Sequence, residues 1–179
     1  LNEYVATGSK VTVLADVDKP DFPKFDNLTI EFRRGDSTNR AILDSLKVES
    51  FNHIIVLAYK GLDIQRADGK TLITLLQLRD IEDRAGVDLN IVSEMLDDRN
   101  RELAEVTNAD DFIVSDKLIS LMLSQVSENK KLTQVFDDLF SSVGSEVYLL
   151  PVEQYVAPGT AVNFYTVLEA ARRRGETAL

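Results

Sequence analysis

The residues of this 179-residue chain with the clearest chemical potential are acids at the ends of β-rich runs. Asp16 closes the run Val11–Ala15. Asp36 follows Leu28–Phe32 in the turn Gly35-Asp36-Ser37-Thr38. Glu94 ends Leu89–Ser93, with Asp97 just beyond. In open α/β sheets, ligands gather outside the carboxyl ends of the parallel strands, where a carboxylate can accept hydrogen bonds from ribose-type hydroxyls. Asp16 suits that role, with loop capping as the alternative for both Asp16 and Asp36. Gly35 permits close backbone approach, and a helix capped by Ser37 or Thr38 aims its amide dipoles at the same crevice. Glu94 is either a ligand group or a solvated, ion-paired strand end.

Catalytic constellations are thin. The single histidine, His53, opens a β-rich run and reads as structural. The sequence contains no serine elbow, no H-E-x-x-H and no histidine–carboxylate pair beside a nucleophile. The adjacent acids Asp97-Asp98, Asp110-Asp111 and Asp137-Asp138 read as helix starts or wet faces. No EF-hand loop is present, and no G-x-G-x-x-G, since Gly61 and Gly69 stand too far apart. The chain has no cysteine, which excludes disulfides, thiolate zinc sites and a cysteine nucleophile. The expectation is a protein without catalysis.

The elements that must position these acids alternate strand with helix. Strands are expected at Val11–Ala15, Leu28–Phe32, His53–Ala58, Leu89–Ser93, Asp111–Ser115 and Glu146–Leu150, most of them nearly continuously apolar, as in a parallel sheet covered on both faces. Helices are expected over Thr38–Leu46 and Ala67–Arg84, the second with Leu72, Leu75, Leu76 and Ile81 on its apolar stripe. This is the pattern of a doubly wound α/β fold. Asp16–Asn27, with Pro20 and Pro23, reads as a loop. Two helices, Asp116–Ser127 and Leu132–Ser141, then break the rhythm. Both are apolar enough to require cover, either by their own sheet or by another subunit. A last helix runs from Phe164 past Ala171.

Composition narrows the partners. With 44% hydrophobic residues the chain can bury a sizeable core, roughly 70% of its unfolded surface. The net charge of -10 repels phosphate backbones and anionic lipid, so nucleic acid is excluded as a partner. No apolar run approaches the ~20 residues of a membrane helix. Leu1 in place of methionine reads as a fragment or a processed product, with any membrane-spanning part outside it.

Several stretches carry a family resemblance. Gly35-Asp36-Ser37-Thr38, followed by Arg40 and Leu43, resembles a turn of the domains that regulate potassium conductance (RCK, or KTN). Leu75-Leu76-Gln77-Leu78-Arg79-Asp80-Ile81, the segment from Ser93 to Asn100 and the segment from Asp111 to Ser120 are similar to the CASTOR/POLLUX family of ion channels and its bacterial relatives. The segment from Glu169 to Ala178 is similar to the continuation of that family. The resemblance implies a Rossmann-like doubly wound sheet lacking its first strand over residues 1–115. It implies a helix-turn-helix crossover over 116–143 and the start of a second β-containing lobe over 144–179. It further implies a homo-oligomer formed through residues 116–140, a ring on the cytoplasmic face of the membrane beneath a pore domain, and a ligand, calcium or NAD(H), bound at the lobe. The alternative is an NAD-binding regulatory subunit of a TrkA-like potassium uptake system. Calcium-gated relatives use one acid after the fourth strand and two after the fifth. Here the fourth strand ends Ala58-Tyr59-Lys60, and Glu94 alone matches the later pair, with Leu96 in the other place. Because the lacking strand is central in the usual order, the edges of Val11–Ala15 and His53–Ala58 are expected to pair directly or to be bridged by a neighbouring chain.

Overall fold

The computed structural model describes residues 1–100, 111–143 and 147–179. It divides into two compact units, Leu1–Thr133 and Gln134–Leu179.

In the first unit every strand pairing is parallel. Strand β1 (Ser9–Ala15) pairs with β2 (Leu28–Arg34), Val11 lying opposite Ile30. Strands β3 (Ile54–Val56), β4 (Ile91–Met95) and β5 (Asp111–Val114) form a second ladder in that order, with Ile54 opposite Ile91 and Glu94 opposite Ile113. Parallel strands joined by helices make this a Rossmann-like α/β unit.

Helix α1 (Arg40–Leu46) links β2 to β3, and α2 (Ile64–Ala85) links β3 to β4. Asp63 caps α2 by accepting the Arg66 N–H, and Gly86 ends it in the left-handed conformation at φ 64°, which glycine adopts without steric penalty. The buried face of α2 carries Ala67, Leu75, Leu78 and Ile81, together with Asp68, Thr71 and Thr74. Leu76, expected on that stripe, is instead 52% exposed, because Leu78 and the two threonines define the face at helical spacing. Leu43, Val48, Val56, Leu89 and Ile91 complete one core, and Leu14 of β1 packs against it. Both ladders therefore lie on the same core.

The expectation of direct pairing between β1 and β3 is corrected, since the two ladders are separate sheets. Leu14 is held in place by its neighbours. A Cβ on Gly35 would stand 3.2 Å from Leu14 Cδ1 and 2.9 Å from Ile42 Cδ1, so the end of β2, the end of β1 and α1 are already packed together.

Helices α3 (Ser115–Glu128) and α4 (Leu132–Leu139) match the expected pair, α3 starting directly from β5. Asn129 turns the chain, its side chain accepting the Lys131 N–H. Of the strand expected over Glu146–Leu150, the described residues Val147–Leu150 form none. Residue 146 lies outside the described residues, as do 144, 145 and 110, and Val147–Leu150 is irregular and exposed, with no neighbouring strand among the described residues to ladder with. Helix α5 (Phe164–Arg173) is capped by Asn163, which accepts the Thr166 N–H. Among the described residues no helix is long and apolar enough to cross a membrane.

Candidate functional site

The carboxyl ends of β2 and β3 converge on α2 through a polar clasp. Beyond β2, Gly35 donates its N–H to the Ala15 carbonyl at 3.0 Å, which sets the turn beside the end of β1. The expected caps Ser37 and Thr38 are corrected, because Asn39 caps α1 by accepting the Ala41 N–H. The turn residues are thereby freed for other contacts. Asp36 Oδ1 accepts the Thr38 N–H at 3.0 Å and its hydroxyl at 2.9 Å, while Oδ2 accepts from Lys70 Nζ at 3.1 Å. Lys70 Nζ also stands 4.2 Å from the centroid of the Tyr59 ring, within reach of its π face.

The hydroxyls of the clasp form a directed chain. Thr74 donates to the Lys70 carbonyl at 2.9 Å, so Ser37 must donate to Thr74 Oγ1 at 2.8 Å. Tyr59 OH then donates to Ser37 Oγ at 3.2 Å. Three elements far apart in sequence are joined this way: the β2 turn, the β3 end and α2.

The Thr38 backbone bond holds the Asp36 carboxyl below the usual carboxylate range. Partial burial opposes it, and the Thr38 hydroxyl and Lys70 reinforce it. Both Asp36 oxygens are engaged, so the carboxylate locks the turn. Lys70 keeps donors beyond its single bond to Asp36 and is 24% exposed, which leaves it able to meet an anionic oxygen.

The other expected site residues occupy neighbouring strand ends. Asp16 is exposed and stands 3.9 Å from Arg34 Nε, a loose pairing that leaves its oxygens open to ligand hydroxyls. Arg34 pairs more closely with Asp18, at 2.7 Å. Glu94 lies within β4 and accepts the Ala58 N–H at 3.0 Å, tying β4 to the residue before Tyr59. His53 is exposed at the start of β3.

Calcium takes ~6–8 oxygen ligands. Among the described residues no group of three or more acids or histidines stands close enough to hold a metal ion.

Sequence reasoning missed Lys70, Tyr59 and Thr74, and it also missed Asp68. Asp68 is 1% exposed, and its carboxylate accepts the N–H groups of Leu96 at 2.8 Å and Asp97 at 3.0 Å and the Asn100 amide at 2.7 Å. It pins the turn after β4 to α2. The readable signal was the i, i+3, i+6 series Asp68, Thr71, Thr74 among apolar residues, since polar groups on a buried stripe need partners.

No family model matches the chain. Similarity to individual proteins is extensive. The chain is 27% identical, over an alignment of 220 positions spanning all of it, to the probable ion channel CASTOR of Oryza sativa subsp. japonica. It is 30% identical over 183 positions, 86% of the chain, to the probable ion channel POLLUX of Arabidopsis thaliana. To the ion channel DMI1 of Medicago truncatula it is 29% identical over 184 positions. These matches cover 25%, 22% and 21% of the relatives. The chain thus spans about a quarter of the channels it matches, and within those bounds it belongs to the CASTOR/POLLUX-like family of ion channels.

Proposed function

We propose that this chain is a ligand-sensing regulatory domain of a cation channel, acting by binding rather than catalysis. The observation that carries the reading is the clasp. It gathers Asp36, Ser37, Tyr59, Lys70 and Thr74 from three elements at the carboxyl ends of parallel strands, in a chain similar throughout to ion channels. A ligand seated there touches the ends of both ladders at once. By preferring one spacing between them it shifts the population of that state, and a pore joined to the domain follows to the extent of that preference.

The donors and acceptors on offer suit an organic anion bearing hydroxyls. Lys70 meets the anion and Asp16 accepts from the hydroxyls, as a nucleotide's phosphate and ribose require. Oligomerisation through residues 116–140 is part of the same reading. Leu118, Ile119, Leu121 and Leu123 on α3 are 44–65% exposed, and Val135, Leu139 and Phe140 are 41–54% exposed, an apolar display that suits contact with further copies.

Calorimetric titration of the full-length protein with NADH, and separately with calcium chloride, tests the reading. NADH binding that weakens about tenfold or more in Lys70→Met and in Asp16→Asn supports it, as loss of a charge-assisted hydrogen bond requires. Calcium binding that survives both substitutions, with no heat from NADH, would replace this crevice with a site elsewhere. Silence from both titrants would sink the ligand-sensing role for these two ligand classes.

A further inference from the structure

The outer edge of β2 carries an unused row of backbone groups. Within a strand, the N–H and C=O of one residue point to the same edge, and successive residues alternate. The Asn27 carbonyl receives the Ser9 N–H and the Gly35 N–H reaches the Ala15 carbonyl, so odd-numbered residues serve the β1 edge. Leu28, Ile30, Phe32 and Arg34 therefore direct their backbone groups to the opposite edge. β2 pairs with β1 alone, and among the described residues none of these four makes a backbone hydrogen bond on the outer side. Sheet edges are commonly blunted by a proline, a bulge or a charge that repels a second strand. Residues 28–34 contain no proline, run in unbroken register with β1 and carry charges of both signs.

The order of those charges is self-complementary. Glu31 and Arg33 form an ion pair at 2.6 Å, with side chains 59% and 61% exposed. They share one face of the strand, being two residues apart. When two β2 strands pair antiparallel, outward-facing residues must meet outward-facing residues, so the two-fold axis passes through a residue position. An axis at 31 or 33 sets like charges directly opposite one another, which is destabilising. An axis at Phe32 sets Glu31 of each copy opposite Arg33 of the other, so each charge lies between two of opposite sign. On the other face Phe32 then meets its own copy, extending the contact that Phe22 makes with it at a ring separation of 6.3 Å.

We infer that the outer edge of β2 is a self-association surface, joining two copies of this chain by antiparallel pairing centred on Phe32. The occupant is a second copy because the charge order of the edge complements itself in this one register. Ile30, Phe32 and Arg34 of each strand supply the backbone bonds, and Glu31 and Arg33 supply the register. The contact is isologous, each copy giving and receiving the same groups. It is separate from residues 116–140, and it rests on a strand edge and its charges rather than on the ligand-sensing reading.

Disulfide trapping on the full-length protein tests it. Glu31→Cys and Arg33→Cys replace exposed side chains and should leave the fold intact. In the inferred register, position 31 of one copy lies about 4.5 Å from position 33 of the other, Cα to Cα, within disulfide reach, whereas like positions lie about 7–8 Å apart. Co-expressing the two variants with different tags, then oxidising mildly, should give a disulfide mapped between positions 31 and 33, formed at least about tenfold faster than any disulfide at these positions in either variant alone. A second reading needs no cysteine. Glu31→Arg should speed amide exchange at Ile30 and Phe32 about tenfold, and adding Arg33→Glu to the same chain should restore it. Absence of the disulfide in the mixture overturns the inference, because the edge then meets water or another part of the polypeptide. Disulfides that form as readily in each variant alone overturn the register, and exchange at Phe32 indifferent to the charge reversal overturns the pairing.

Discussion

The two faces of the β3–β4–β5 ladder differ in burial. On one face Val56 and Ile91, 8% and 4% exposed, lie in one core with Leu75 and Leu78 of α2. On the other, Ile55 and Ile113 are 52% and 49% exposed, and Leu57, just past the end of β3, is 65% exposed. Strand alternation alone would put polar residues on a solvated face, as in sheets built to stand half in water. These strands carry apolar residues on both faces, the composition expected of a sheet covered on both sides.

Substitutions can break or sharpen that contrast. The largest effect is expected at Leu75, fully buried at the centre of the covered face. Leu75→Ala should cost about 2–5 kcal/mol in chemical denaturation, the transfer and cavity terms together. Next comes Asp68→Ala, which strands two backbone N–H groups and the Asn100 amide in the interior. A loss of about 3 kcal/mol is expected, with faster exchange at Leu96 and Asp97 as its local signature. Ser37→Ala cuts the directed hydroxyl chain between Tyr59 and Thr74 and should cost about 1 kcal/mol. Leu57→Ser, at a 65% exposed position, should be the smallest, within about 0.5 kcal/mol, and a loss of more than about 1 kcal/mol would show that the face is covered.

Acidification probes the clasp itself. The Asp36 carboxyl is held below its usual range by Thr38 and Lys70, so the folded state favours the ionised form. Its contribution is fully present above the ordinary carboxylate pKa and is lost as pH falls through the lowered folded value. Thermal stability should therefore drop below about pH 4, and Asp36→Asn should flatten that part of the profile. An identical acid profile in the variant would remove Asp36 from the account of the clasp.

Much of this architecture was legible in the sequence because its signals are local. The runs at 11–15, 28–32 and 89–93 are apolar and β-rich enough to mark strands, and the apolar stripe over Ala67–Arg84 marks most of α2, Ile64–Ala85. The clasp was half legible. Gly35, Asp36 and Ser37 stood out as a turn at a strand end, but Tyr59, Lys70 and Thr74 join them only through the fold, across separations of 22 to 37 residues. Asp68 was hidden for a different reason. A single acid in a helix reads as solvated unless its neighbours at i+3 and i+6 mark the face as buried. Two expectations went astray because they depended on partners. Val147–Leu150, the described part of the strand expected at 146–150, has no neighbouring strand among the described residues, and β1 and β3 fall in separate sheets.

The measurement closest to the central claim is single-channel recording of the full-length protein in a planar bilayer with NADH as the added ligand. The account predicts that NADH changes the open probability and that Lys70→Met raises the concentration for half-effect about tenfold, matching one lost charge-assisted hydrogen bond, with the unitary conductance unchanged. An open probability indifferent to NADH, or a Lys70→Met channel that responds as the unaltered one does, would contradict it.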